Sequence, residues 1–224
     1  MSSADNSWGV IFDVDGTMVD NVAFHENAWL ELSRRHGLGI TREFYREHIH
    51  SRSNDKNVRK LFADKATPEL IERISREKET IYRDSFRPVI KEIAGLTGLL
   101  KALKTADVRC AAASNSPKGN VDMVLDELDL GKYFDVVVDR DQISRGKPDP
   151  EMFLTTAERL GLDARRCIVV EDSLSGFAAA ERAGMKYIVI TTGADAEELK
   201  HAGNACAMYE DFTAITAQSL ADFL

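Results

Sequence analysis

Short apolar runs and longer stretches of helical spacing alternate along this 224-residue chain. Residues 8–13, W-G-V-I-F-D, form an apolar run of the length and type of a buried strand. From about Asp20 to Ser85 the apolar residues instead recur at helical intervals: Val22, Trp29, Leu30 and Leu32, then Phe44, Tyr45 and Ile49, then Val58, Leu61 and Phe62. Asp20 or Asn21 can cap the first of these helices, and Thr67 with Pro68 opens another. No part of this segment reads as a strand. After Pro88 short strands return at Val108–Ala113, Phe134–Val138, Cys167–Val170 and Tyr187–Thr191, with a weaker one at Ala205–Met208. Helices are predicted between and after them at Leu96–Thr105, Pro117–Leu128, Pro150–Leu160, Ser175–Ala183 and Ala196–His201.

Strands that are apolar throughout and alternate with helices belong to a parallel sheet covered on both faces. The expected fold is therefore α/β, with a doubly wound, Rossmann-like parallel-sheet core built from residues 1–18 and 88–224. An all-helical domain, residues 19–87, interrupts it. Both ends of that insert attach to the core, so the expectation is a lid.

Composition narrows the function classes. Apolar residues make up 44% and charged residues 29%, as in an ordinary soluble globular protein. A net charge of -8 argues against nucleic-acid binding driven by phosphate contacts, which needs a basic face. It leaves room for a small phosphorylated substrate, which needs only local positive charge or a metal. Cys110, Cys167 and Cys206 are odd in number and widely spaced, which suits buried thiols in a reducing compartment better than disulfides or a zinc site. The N-terminal M-S-S-A-D-N-S has no signal-peptide character, and no apolar run approaches membrane-spanning length. The expectation is a cytoplasmic protein that binds neither membrane nor nucleic acid and has no obligate protein partner.

In an open parallel sheet, ligands bind beyond the carboxyl ends of the strands. The first strand ends in Asp13-Val14-Asp15-Gly16-Thr17 and the second in Ser114-Asn115-Ser116-Pro117. The loop after the third carries Gly146-Lys147-Pro148-Asp149-Pro150, and the fourth ends in Glu171-Asp172-Ser173. Carboxylates crowded at low dielectric need a cation, and an oxygen-only donor set that shares a substrate phosphate suits Mg²⁺. Lys147 and Ser114, with the backbone N–H groups of the Gly16-Thr17 turn, would complete a phosphate cradle. Simpler roles stand beside these. The paired acids are common turn residues, Ser114 and Asn115 can cap the helix near Pro117, and Glu171 can serve a helix dipole. Trp29 is expected in the core of the insert, and His36, His48 and His201 in solvent.

The set D-V-D-G-T, S-N, K-P-D-P-E and V-V-E-D-S, in this order and on these elements, resembles the four motifs of the haloacid dehalogenase superfamily over nearly the whole chain. Within it the likeness is to the β-phosphoglucomutase-like and sugar-phosphate phosphatase group, and residues 19–87 look like its helical cap. The resemblance implies that Asp13 attacks phosphorus to form an aspartyl-phosphate. Asp15 would protonate the leaving oxygen and then activate water. Mg²⁺ would be held by Asp13, the Asp15 carbonyl and Asp172, with Glu171 acting from behind them or through water. Ser114, Asn115 and Lys147 would hold the phosphoryl group. The superfamily's dehalogenases lack the second acid of the first motif, so Asp15 points to phosphate esters. In the cap, His25 and Lys78 match positions that couple cap closure to placement of the general acid. The stretch I49-H-S-R-S-N-D55 resembles the mutases' K-G-V-S-R, with His50 at the lysine and Asn54 at the arginine, and Arg52 close by. Loss of both cations favours a phosphatase acting on a sugar phosphate or phosphorylated sugar acid. A β-phosphoglucomutase-type phosphomutase is the alternative, and a phospho-accepting receiver-type signalling module is a more distant one.

Overall fold

The computed structural model describes residues 7–50, 52–194 and 199–224. Its chain divides into two compact units: residues 1–20 with 91–224, and residues 21–90.

The first unit is built on β1 (Gly9–Phe12), β2 (Arg109–Ala113), β3 (Val136–Val138), β4 (Cys167–Glu171), β5 (Lys186–Ile190) and β6 (Ala207–Tyr209). They pair in the order β3-β2-β1-β4-β5-β6, and every pairing is parallel. β1 is buried at every position, as a central strand with both faces covered must be. Alternate residues point to opposite faces. Ile11, Ala111, Ala113, Val169 and Val189 pack with the apolar sides of α7 (Glu151–Leu160) and α8 (Leu174–Arg182), through Met152, Phe153, Ala157 and Phe177. Phe12, on the other face, meets the rings of Phe134 and Phe212 at 6.1 Å each. The sheet order reverses at β1, whose neighbours are β2 and β4, and in an open α/β sheet that switch point is where the ligand crevice opens.

The second unit contains α1 (Val22–His36), α2 (Arg42–His48), α3 (Asn54–Phe62) and α4 (Pro68–Phe86). Trp29, Leu32, Tyr45, Ile49, Val58, Ile71 and Ile74 form its own apolar core. Thr67 caps α4 by accepting from Leu70 N, with Pro68 in the first turn. Completing the first unit are α5 (Leu96–Thr105), α6 (Lys118–Glu127) and α9 (Ala217–Ala221). Among the described residues no helix is long and apolar enough to cross a membrane.

Several boundaries differ from expectation. The units part at 20/21 and 90/91 rather than at 18/19 and 87/88. Hydrogen bonding explains this, because Ile93 N donates to Met18 O and Val19 bridges Glu92, which ties residues 18–20 to the sheet unit. β3 starts at Val136 rather than Phe134, and β6 lies at Ala207–Tyr209. Asn21 occupies the cap position of α1 without making a side-chain cap; its Nδ2 donates to Tyr82 Oη at 2.6 Å instead. His36 is not a free solvent residue, since its Nε2 lies 2.9 Å from Glu77 Oε2 in a half-buried pair. The helix expected at Ala196–His201 lies largely outside the described residues.

Candidate active site

Every polar group expected at a strand end within the sheet unit is found there. Asp13 follows β1 directly, and its N–H extends the ladder to Val170 O at 2.9 Å. Lys147 arrives on the loop before α7 and is buried to 8% exposure, so its ammonium must be paired. Nζ donates to Asp13 Oδ1 at 2.5 Å, Glu171 Oε1 at 2.8 Å and Ala113 O at 3.0 Å. It thus binds the ends of β1, β2 and β4 together. Asn115 holds the lysine's backbone from both sides: its Oδ1 accepts from Lys147 N at 2.9 Å and its Nδ2 donates to Lys147 O at 3.2 Å.

Asn115 therefore serves the lysine loop rather than a helix cap, and α6 begins after Pro117 with its first N–H, that of Lys118, donating to Asp141 Oδ2 at 3.1 Å instead. Ser114 Oγ donates to Asp15 Oδ2 at 3.0 Å and accepts from Ser116 N at 2.9 Å. Asp15, half-exposed, is thereby steadied by the neighbouring strand. The Gly16-Thr17 turn is more committed than expected. Gly16 N donates to Val19 O at 2.8 Å, so that amide is already engaged and cannot serve a phosphate. Thr17 is fully buried, and its hydroxyl donates to Asp172 Oδ1 at 2.9 Å. Gly16 has φ of +86°, and a Cβ there would stand 2.0 Å from Asp172 Oδ2, so only glycine lets the turn approach that carboxylate.

Glu171 is held at both oxygens. Oε1 takes Lys147, and Oε2 accepts from Asp172 N and Ser173 N at 2.8 Å each and from Ser173 Oγ at 3.0 Å. Three donors on one oxygen at the start of α8 make Glu171 an anchor for the lysine. Gly176, which the sequence reading passed over, allows this, because a Cβ there would come within 1.8 Å of the Glu171 carboxyl carbon. Ser173, named in the sequence only as the end of the fourth strand, also caps α8 by accepting from Gly176 N at 3.2 Å, and a serine just before a helical run is a recognisable start signal.

Asp13, Glu171 and Asp172 are all buried, and each offers a carboxylate oxygen within 4.8 Å of the others. Burial pushes the carboxyls of Asp13 and Asp172 well above the usual carboxylate range, and the neighbouring acids add to it. Burial pulls the Lys147 ammonium down, but Asp13 and Glu171 outweigh it and drive the group above its ordinary value, so it stays charged. One lysine does not neutralise this cluster. Among the described residues Asp13 Oδ2 and Asp172 Oδ2 accept no hydrogen bond. Two such oxygens on buried residues, in an all-oxygen donor set, fit a hard divalent cation such as Mg²⁺.

In the helical unit, Lys78 is buried and its Nζ lies 2.8 Å from His25 Nδ1, pairing two expected residues. Asn54 Nδ2 donates to Glu79 Oε1 at 2.7 Å. The half-buried His50 ring meets Tyr45 edge-on at 5.9 Å, while Arg52 is exposed. Ser51, within the same stretch, lies outside the described residues. Glu79 was not expected from the sequence.

Residues 10–190 match the haloacid dehalogenase-like hydrolase family, and the chain belongs to it. It is 32% identical to a phosphorylated carbohydrates phosphatase of Thermotoga maritima over 196 residues, 87% of this chain and 90% of that one. It is 26% identical to a β-phosphoglucomutase of Bacillus subtilis over 82% of this chain and 83% of that one. A family IA, variant 3 hydrolase from Entamoeba histolytica has the same fold, with a TM-score of 0.87 at 27% identity over 96% of this chain and 98% of that one. Family and relatives together make the protein a phosphoric monoester hydrolase.

Proposed function

We propose that the protein is a Mg²⁺-dependent phosphatase that hydrolyses a small phosphorylated carbohydrate, a sugar phosphate or phosphorylated sugar acid, through an aspartyl-phosphate. The observation that carries this reading is the Lys147 clasp. It engages one oxygen of Asp13 and leaves the other without a hydrogen bond, as a nucleophile requires. Mg²⁺, bound by Asp13 and Asp172 with the Asp15 carbonyl, would supply charge neutralisation for an anionic nucleophile meeting an anionic phosphate.

The Asp13 carboxylate attacks phosphorus, the bond from phosphorus to the substrate oxygen breaks, and Asp15 gives its proton to that oxygen. Asp15 then takes a proton from water as the water oxygen attacks the aspartyl-phosphate, which frees inorganic phosphate and restores both acids. Lys147 and Ser114 hold phosphoryl oxygens. Asn115 keeps Lys147 in place, and Thr17 keeps Asp172 in place. Buried, unpaired thiols support a reducing, cytosolic setting.

The B. subtilis relative supports a phosphomutase as the second reading. A mutase must hold two phosphates, and this chain has His50 and Asn54 where the resemblance places two cations. Phosphate release from a panel of sugar phosphates, with an aryl phosphate as generic substrate, tests the proposal. EDTA should abolish turnover, Mg²⁺ should restore it, and Asp13→Asn should lose roughly a thousandfold or more. Retained turnover in Asp13→Asn removes the covalent step. Glucose 6-phosphate made from glucose 1-phosphate with a bisphosphate primer, without free phosphate, establishes the mutase instead.

A further inference from the structure

Two glycines meet next to Asp15, both within the sheet unit. Gly16 closes a tight turn, in which its N–H donates to Val19 O and Met18 N donates to Val14 O, at 2.8 Å each. This turn lies against Asp172, where a Cβ on Gly16 would stand 2.0 Å from Oδ2. It also lies against the loop that follows β5. A Cβ on Gly193 would stand 2.2 Å from Gly16 O, 2.5 Å from its Cα and 2.6 Å from its carbonyl carbon. All three are backbone atoms, so no side chain can swing aside to make room.

The local backbone does not demand a glycine at 193. Ala194 N donates to Thr191 O at 3.3 Å, which makes residues 191–194 a turn with Gly193 in third place. Its φ lies outside the left-handed range, and such a turn accepts most residues. The close approach of Gly16 is therefore what requires the glycine. Nor is the loop free to retreat. Thr191 N donates to Tyr209 O at 2.8 Å and Thr192 Oγ1 donates to Glu210 O at 2.5 Å, which ties it to the end of β6. A methyl group at 193 has to displace the Gly16 turn, by roughly 1 Å to reach an ordinary contact of about 3.5 Å.

We propose that Gly193 is a positioning residue for the general acid. Its bare backbone lets the loop after β5 back the Asp15–Gly16 peptide, and that contact fixes where the Asp15 carboxyl stands relative to the leaving oxygen. Ser114 Oγ, donating to Asp15 Oδ2 at 3.0 Å, steadies the side chain, and Gly193 steadies the main chain that carries it. This rests on the phosphatase reading above, with Asp15 as the proton donor. An acid misplaced by about 1 Å forfeits much of a proton transfer worth about a hundredfold or more.

Leaving-group dependence separates aiming of the acid from general support of the site. In kcat/KM only the steps up to loss of the leaving group count. Phenolate, which leaves from phenyl phosphate, has a tyrosine-like conjugate-acid pKa of about 10 and gains from protonation. 4-Nitrophenolate is a much weaker base and departs without a proton. With the full chain and Mg²⁺, Gly193→Ala should lower kcat/KM for phenyl phosphate by about a hundredfold, and for 4-nitrophenyl phosphate by about threefold or less. Thr192→Val cuts one tie of the loop at an exposed position and keeps the glycine. It should bring the same selective loss at about fivefold, and it decides the matter if Gly193→Ala does not fold. Equal losses on the two esters overturn the proposal. So do unchanged rates in Gly193→Ala or, where that variant does not fold, in Thr192→Val. A wild type that releases phosphate from neither ester overturns the phosphatase reading itself, and this inference with it.

Discussion

Lys147 is the residue on which the site turns. It is the one cation among the described residues bound to both Asp13 and Glu171, and its side chain is 2% exposed. Removing one member of a buried ionic cluster leaves the others uncompensated and costs about 3–5 kcal/mol. Lys147→Met, which keeps most of the volume, should therefore lower unfolding stability by that order as well as abolish turnover. Urea denaturation beside phosphate release checks this, and a variant with native stability but no activity would mean that Lys147 acts in chemistry alone. That Lys147 belonged with Asp13 was legible from motif order. That Glu171 would be fully occupied in anchoring it was not, because three hydrogen bonds to one oxygen depend on where the α8 N-terminus comes to rest.

At the scale of the element, α8 shows how a short helix can be tuned for a neighbour. Alanine normally stabilises a helix over glycine by about 1 kcal/mol. At Gly176 the added methyl would collide with the Glu171 carboxyl carbon at 1.8 Å. Gly176→Ala should therefore be destabilising by ~2 kcal/mol net and should impair turnover by displacing the lysine's anchor. Gly98, inside α5, would meet nothing within 4 Å. Gly98→Ala should stabilise by about 0.5–1 kcal/mol. Thermal unfolding of the pair checks both signs. The placement of α5, α7 and α8 was visible in apolar spacing to within a residue or two. The two glycines were indistinguishable in sequence, since only the fold brings Glu171 over one of them.

For the whole molecule, the parallel sheet buries Cys110 and Cys167 in its core. Burial pushes each thiol from an ordinary 9.0 up to about 12, with Asp135 beside Cys110 and Asp163 beside Cys167 adding to it. In the native protein at about pH 8, a thiol reagent should leave both unlabelled, and denaturation should expose them. The linkage has a definite sign. The native state keeps protons that the unfolded chain releases from about pH 9 upward, so stability should fall as pH rises toward 12. Urea midpoints at several alkaline pH values should fall less steeply in a Cys110→Ala/Cys167→Ala double variant. Labelling of either thiol in the native state would mean that the sheet opens locally.

The order of strands and helices, the helical interruption and the identity of the acids, lysine and serine were determined by the sequence itself. Apolar periodicity encodes local structure, and β1, β2 and β4 must each end where their apolar runs end. What the tertiary structure alone decided is which hydrogen bonds each polar group spends. It turned Thr17 to Asp172, Asn115 to the Lys147 backbone, Ser114 to Asp15 and Asn54 to Glu79. These pairs lie far apart along the chain. A buried polar group takes whichever partner the packed elements bring within about 3 Å, and local sequence carries no record of that partner.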